Sequence, residues 1–292
     1  MVETFDAALP HGITLSCRAA GRVGKPRVML LHGFPEGAFV WDDVMQRLTG
    51  QARCVAPNLR GYERSSAPGD VAAYRTRHLV ADIAALIEQQ GAPLDLLAAH
   101  DWGGAIAWSL AAQAPQLLRR LLIINSPHPA TFLRELRGNA AQQAASAYMN
   151  FLCRPDAAAL LAQNDFARLW PFFTGMGDAV WLDEPMRERY RAVWRQGLEG
   201  ALNYYRASPL RPPLGPDDRI HALVLPDETV TVRVPTTVLW GEGDTALPLA
   251  LLDGLQAWVP QLEPQRVSRA THWLIHERPE QVAETITRLL SR

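Results

Sequence analysis

No apolar run in this sequence approaches the ~20 residues needed to span a bilayer. The amino terminus between Met1 and Ala7 also lacks the basic start and apolar core of a secretory signal. Neither charge sign is in excess. Twenty-nine basic side chains face 30 acidic ones, for a net charge of −1, which leaves no electrostatic footprint for nucleic acid or an anionic membrane surface. Cysteine is scarce: Cys17, Cys54 and Cys153 are widely spaced, odd in number and free of any CxxC pattern. That excludes a disulfide framework and a cysteine zinc site and suits a reducing cytoplasm. Lysine is nearly missing, Lys25 being the only one, which reads as coding bias and carries no functional weight. Internal repeats and low-complexity tracts are absent. These absences predict a cytoplasmic protein that acts on a small ligand, with no nucleic-acid or membrane partner, and they are silent on oligomeric state.

What is present is ordinary globular material: 292 residues, 48% hydrophobic and 20% charged, enough to bury a full core and hold one domain with an insertion. Short apolar runs alternate with helix-period stretches, the pattern of βαβ units around a mostly parallel sheet. Strands are expected at Arg27–His32, Arg53–Pro57, Leu94–Ala99, Leu121–Ile124 and Thr236–Trp240, and helices at Ala105–Ala114 and Glu280–Leu290. From about Pro127 to Pro216 no buried strand is evident, and helical stretches rich in Trp, Phe and Tyr alternate with turns. This is expected to be a helical cap, residues 127–216, inserted after the strand ending near Ile124. Residues 1–126 and 217–292 would form the core. Pro209, Pro212, Pro213 and Pro216 suit an extended return to the sheet.

Reactive groups on such a sheet sit in loops beyond the carboxyl ends of its strands. In Ala99-His100-Asp101-Trp102-Gly103 a central residue is flanked by small residues two before and two after, as a tight strand-to-helix nucleophile elbow requires. The central residue is an Asp, already ionised at neutral pH, which attacks carbon to give an ester; its expected electrophile is alkyl rather than acyl. Taken alone, Asp101 reads sooner as a helix N-cap, stabilising by about 1 kcal/mol. Asp244 follows a strand and His272 lies near the carboxyl end, so the chain order is nucleophile, acid, histidine. His272 would activate water and Asp244 would orient its ring. The loop His32-Gly33-Phe34-Pro35 offers a backbone N–H at Phe34 that can join that of Trp102 as an oxyanion hole. His272 and His276 have i, i+4 spacing but lack the HExxH pattern, so neither a metal nor a cofactor is expected.

Together these residues resemble the α/β-hydrolase superfamily, and within it the soluble-type epoxide hydrolases, whose aspartate nucleophile is shared with haloalkane dehalogenases. The likeness spans nearly the whole chain: His32 to Glu36 with Trp41, the Leu59 to Tyr62 loop, His100 to Gly104, and Asn125 to Pro129 entering the cap. It implies an α/β-hydrolase fold, a hydrolase acting on the ether bond of an epoxide, and two cap tyrosines that polarise the epoxide oxygen. The segment Ala201 to Arg206 places one at Tyr205, and the segment Ala147 to Phe151 places the other at Tyr148. Glu63 and Ala99 depart from the family pattern at positions where glycine is frequent. The expected product is a vicinal diol, formed through a hydroxyalkyl ester on Asp101. Trp102, Trp170, Phe173 and Trp181 are expected to line the cavity of a small hydrophobic substrate, with Phe172 and Trp194 as further candidates. Two other readings stay open: a haloalkane or haloacid dehalogenase with the same aspartate, and a catalytically silent hydrolase-fold binder.

Overall fold

The computed structural model describes residues 2–292. Eight strands form one sheet: β1 (Glu3–Ala8), β2 (Thr14–Ala20), β3 (Arg27–Leu31), β4 (Arg53–Pro57), β5 (Leu96–His100), β6 (Leu121–Ile124), β7 (Thr236–Gly241) and β8 (Leu262–Val267). Their order is β1-β2-β4-β3-β5-β6-β7-β8, antiparallel at the β1–β2 and β2–β4 pairs and parallel elsewhere. The central strands β5, β6 and β7 are buried along their whole length, which is why their sequences are unbroken apolar or small runs.

Three strands were not evident in the sequence, and all lie towards the sheet's margins. β1 is largely exposed, and β8 alternates between half-buried and exposed residues and carries Pro264, a residue that edge strands tolerate. β2 sits between β1 and β4, with Ser16 and Arg18 breaking its apolar run.

Helices cover both faces. In the last one, Pro279–Leu290, the buried residues Val282, Ala283, Ile286 and Leu289 fall on one stripe, as a helix lying on a sheet requires. Between β6 and β7 the chain is helical or loop throughout, from Pro129–Gly138 to Asp227–Val230. The short helix Asp227–Val230, beyond Pro216, packs on the core helix Asp101–Gln113. Among the described residues no helix is long and apolar enough to cross a membrane.

Candidate active site

β5 ends at His100, and the helix Asp101–Gln113 begins with no intervening loop. The turn is made by Asp101 itself, in the left-handed region at φ 48°, a conformation that costs a non-glycine residue on the order of 1–3 kcal/mol. Small neighbours make room for it. A Cβ on Gly103 would lie 2.6 Å from the carbonyl oxygen of His32, and one on Gly33 would lie 2.3 Å from the Cβ of Asp101. Ser126 Oγ donates to the Asp101 carbonyl at 2.6 Å and holds the elbow from the β6 side.

Around the Asp101 carboxylate the predicted residues converge. Phe34 N–H donates to Oδ1 at 2.7 Å, and His272 Nε2 lies 3.8 Å from Oδ2. The Phe34–Pro35 peptide is cis. Trp102 N–H belongs to the first helical turn, where amides have no intrahelical acceptor. His272 Nδ1 donates to Asp244 Oδ2 at 2.8 Å. Asp244, its side chain fully buried, also accepts from the amides of Ala246 at 3.0 Å and Leu247 at 2.8 Å and from Asn125 Nδ2 at 2.8 Å. Burial alone would lower the basicity of His272. Asp244, with a further contribution from Asp101, outweighs it and holds the ring up to about 9. The ring thus lies between two carboxylates, which favour its protonated form.

A cavity of about 360 Å³ opens over this triad, lined by Phe34, Asp101, His272 and Trp273 of the core and by Tyr148, Phe172 and Tyr205 of the insertion. A second, of about 250 Å³, runs along the outer face of the nucleophile helix past Trp102, Ala105 and Ser109. Asp101, Tyr148 and Tyr205 border both cavities. The ring of Tyr205 meets those of Phe34 and Trp102 edge-on at 5.2 and 5.1 Å, and the Tyr148 ring lies 6.2 Å from it. Burial, reinforced by the nearby carboxylate of Asp101, pushes both phenols above their ordinary range, so both keep their protons.

Three of the expected cavity residues are elsewhere. Trp170 lies under the guanidinium groups of Arg187 and Arg191 and against Trp194. Phe173 is buried against Trp273 and Tyr190, and Trp181 stacks on His276 at 4.0 Å. The reason is angular: on the short helix Trp170–Thr174 neighbouring side chains diverge by about 100°, so of its three aromatic rings only that of Phe172, next to Pro171, lines the cavity over the triad. Trp194 also turns inward and donates from Nε1 to the Pro35 carbonyl at 2.6 Å.

Residues without an assigned role in the sequence reading form a buried set behind the triad. Glu36 accepts from His100 Nδ1 at 3.0 Å and from Tyr190 at 3.2 Å, and lies 3.2 Å from His276 Nε2. His100 Nε2 donates to the carbonyl of His272 at 2.9 Å. Burial would raise the Glu36 carboxyl, but His100 and His276 prevail and hold it well below the usual carboxylate range. His276 thus faces away from His272, and the i, i+4 pair does not converge. A second such residue is Asn125, in the left-handed region at φ 41°; it joins Asp244 to the Gly241 amide through its side chain. Glu36 and Asn125 lie within segments that carry the family resemblance, but their roles cannot be read there, because their partners come from distant parts of the chain. Glu63 has φ 50°, which accounts for glycine suiting that position, and its carboxylate accepts from Asn58.

Residues 26–279 match the α/β-hydrolase fold family model. The AB hydrolase superfamily protein YfhM of Bacillus subtilis (strain 168) is 33% identical, covering 96% of this chain and 95% of its own. Epoxide hydrolase 4 of Mus musculus is 31% identical, covering 92% of this chain and 74% of its own. The crystal structure of Bacillus megaterium epoxide hydrolase in complex with an inhibitor superposes with a TM-score of 0.89 at 28% identity, covering 99% of this chain and 100% of that one. An eight-stranded sheet of this order, a helical insertion over its carboxyl edge and full-length relatives of this kind lead to one conclusion: the chain belongs to the α/β-hydrolase fold family and is related to its epoxide hydrolases.

Proposed function

We propose that this protein converts an epoxide to a vicinal diol through an ester on Asp101. The observation that carries the reading is the arrangement of two protonated phenols, Tyr148 and Tyr205, across one cavity from an aspartate at a nucleophile elbow. A departing halide needs donors but no proton, whereas an alkoxide needs both, and phenols supply both.

Asp101 attacks one epoxide carbon, the C–O bond breaks, and its electron pair goes to the oxygen. That oxygen takes a proton from one phenol. The resulting tyrosinate regains a proton from the His272 cation, which leaves a neutral imidazole. The change is favoured because the carboxylate charge of Asp101, one of the three that raise His272, has been consumed in the ester. Neutral His272 then removes a proton from water, and the hydroxide attacks the ester carbonyl. The amides of Phe34 and Trp102 stabilise the tetrahedral oxyanion. On collapse, the ester C–O bond breaks and the diol oxygen leaves with the proton of the added hydroxyl, relayed through His272, so the resting carboxylate and imidazolium return.

This sequence makes a labelling prediction. In a single turnover of styrene oxide in ¹⁸O-water, the new hydroxyl of the diol comes from Asp101, so the label enters the carboxylate of Asp101 and not the first diol. Label in the first diol would instead mean direct attack by water and would reject the covalent route.

A further inference from the structure

Tyr205 lies on the helix Glu199–Ala207, which reaches the core through an unusually close backbone contact. A Cβ added to Gly200 would lie 2.5 Å from both the Cα and the carbonyl oxygen of Gly61; one added to Gly61 would lie 2.8 Å from the Cα of Gly200. The two backbones touch with no side chain between them. One turn further on, Tyr204 donates from its hydroxyl to the Arg60 carbonyl at 2.8 Å, and its ring packs against Tyr62 and Trp102.

The receiving loop is itself fixed. Arg60, 5% exposed, makes a bidentate pair with the buried Asp82 at 2.7 and 2.6 Å and donates to the Ala73 carbonyl. A buried, fully hydrogen-bonded pair of this kind defines a position rather than adding much net stability. Tyr204 and Tyr205 are consecutive, so their side chains diverge by about 100°: one grips the core loop and the other faces Asp101.

From this we infer that Gly61, Gly200 and Tyr204 are positioning residues for Tyr205, setting the distance between its phenol and the nucleophile. The inference rests on the epoxide reading and assigns the contact to one step. Tyr205 serves C–O cleavage, whereas ester hydrolysis uses His272 and the oxyanion amides, which lie on the core. A displaced helix should therefore slow opening and spare hydrolysis.

The test is single-turnover kinetics with styrene oxide, following formation and decay of the Asp101 ester by quenched-flow mass spectrometry in Gly200→Ala and Tyr204→Phe. A methyl at Gly200 must push the helix outward, and a misplacement of about 1 Å can cost ~100-fold; opening should fall by about tenfold or more, with ester hydrolysis within about twofold of wild type. Tyr204→Phe adds no volume and should show the same selectivity with a smaller loss, which keeps the inference testable if the alanine variant misfolds. In a Tyr205→Phe background neither substitution should slow opening further, since residues acting through one group are not additive. Equal losses in both steps, or additive losses in the double variants, overturn the positioning role. Wild-type protein that forms no Asp101 ester overturns the epoxide reading itself.

Discussion

At the scale of single residues the site is governed by the charge state of Asp101. As a carboxylate it adds to the larger pull of Asp244 that holds the His272 ring up; as an ester it withdraws that contribution from the base that its own hydrolysis needs. The pH dependence follows in sign. Hydrolysis of the accumulated ester should rise with pH and reach its plateau below 9, because the alkylated protein lacks one of the charges that hold His272 up to about 9. Ester decay measured from pH 5 to 10 checks this, and a plateau reached only above pH 9 would contradict it. Loss of both phenols, in Tyr148→Phe with Tyr205→Phe, should reduce opening by at least ~100-fold, the ordinary scale of a lost general acid; undiminished epoxide turnover would exclude their role. Asp101 and Phe34 were legible in local motifs, Asp244 and His272 in their order along the chain after the nucleophile, and the two tyrosines only through the family resemblance of their segments. The roles of Glu36 and Asn125 were not, although both lie in segments that carry the resemblance, since what gives them meaning is a partner more than sixty residues away.

Among the elements, the helix Trp170–Thr174 separates two functions over adjacent positions. Phe173, 1% exposed among Tyr190, Trp194 and Trp273, is a packing residue, and Phe173→Ala should cost about 3–5 kcal/mol of unfolding free energy, measured by urea denaturation. Phe172 borders the cavity and meets Phe34 and Tyr148 edge-on. Phe172→Ala should act mainly on KM and enantiomer preference, with a smaller stability loss. Equal destabilisation by the two would contradict the division. Composition pointed to an aromatic cap, but which face each ring presents depends on the rotation of a helix of five residues, too short to show a period. The marginal strands escaped for a related reason: β1 and β8 are half-solvated and lack the apolar runs that reveal β5, β6 and β7.

For the whole molecule, buried histidines set the range of pH over which the fold is stable. His32 accepts the Leu59 amide on Nε2 and donates from Nδ1 to the Gly33 carbonyl; His128 accepts the Ala130 amide and donates to the Val230 carbonyl. Each must stay neutral, and burial lowers both from 6.5 to about 4. Their contribution to stability is complete above 6.5 and is lost as pH falls through 4. His272, raised to about 9, has the opposite sign: its contribution is present below 6.5 and is lost as pH rises through 9. Stability should therefore peak near neutrality, with about two protons taken up on unfolding at pH 5 from His32 and His128 alone. A flat unfolding free energy between pH 4 and 9 would count against these assignments.

The fold follows from alternating strand and helix patterns spread along the chain, whereas the reaction depends on one bond made at one carboxylate. Intact-protein mass spectrometry of His272→Ala incubated with styrene oxide measures that bond directly. A stable adduct should form, carrying the full mass of the epoxide and mapping to the peptide that contains Asp101. Folded protein with bound styrene oxide and no added mass, or an adduct on another residue, would contradict it.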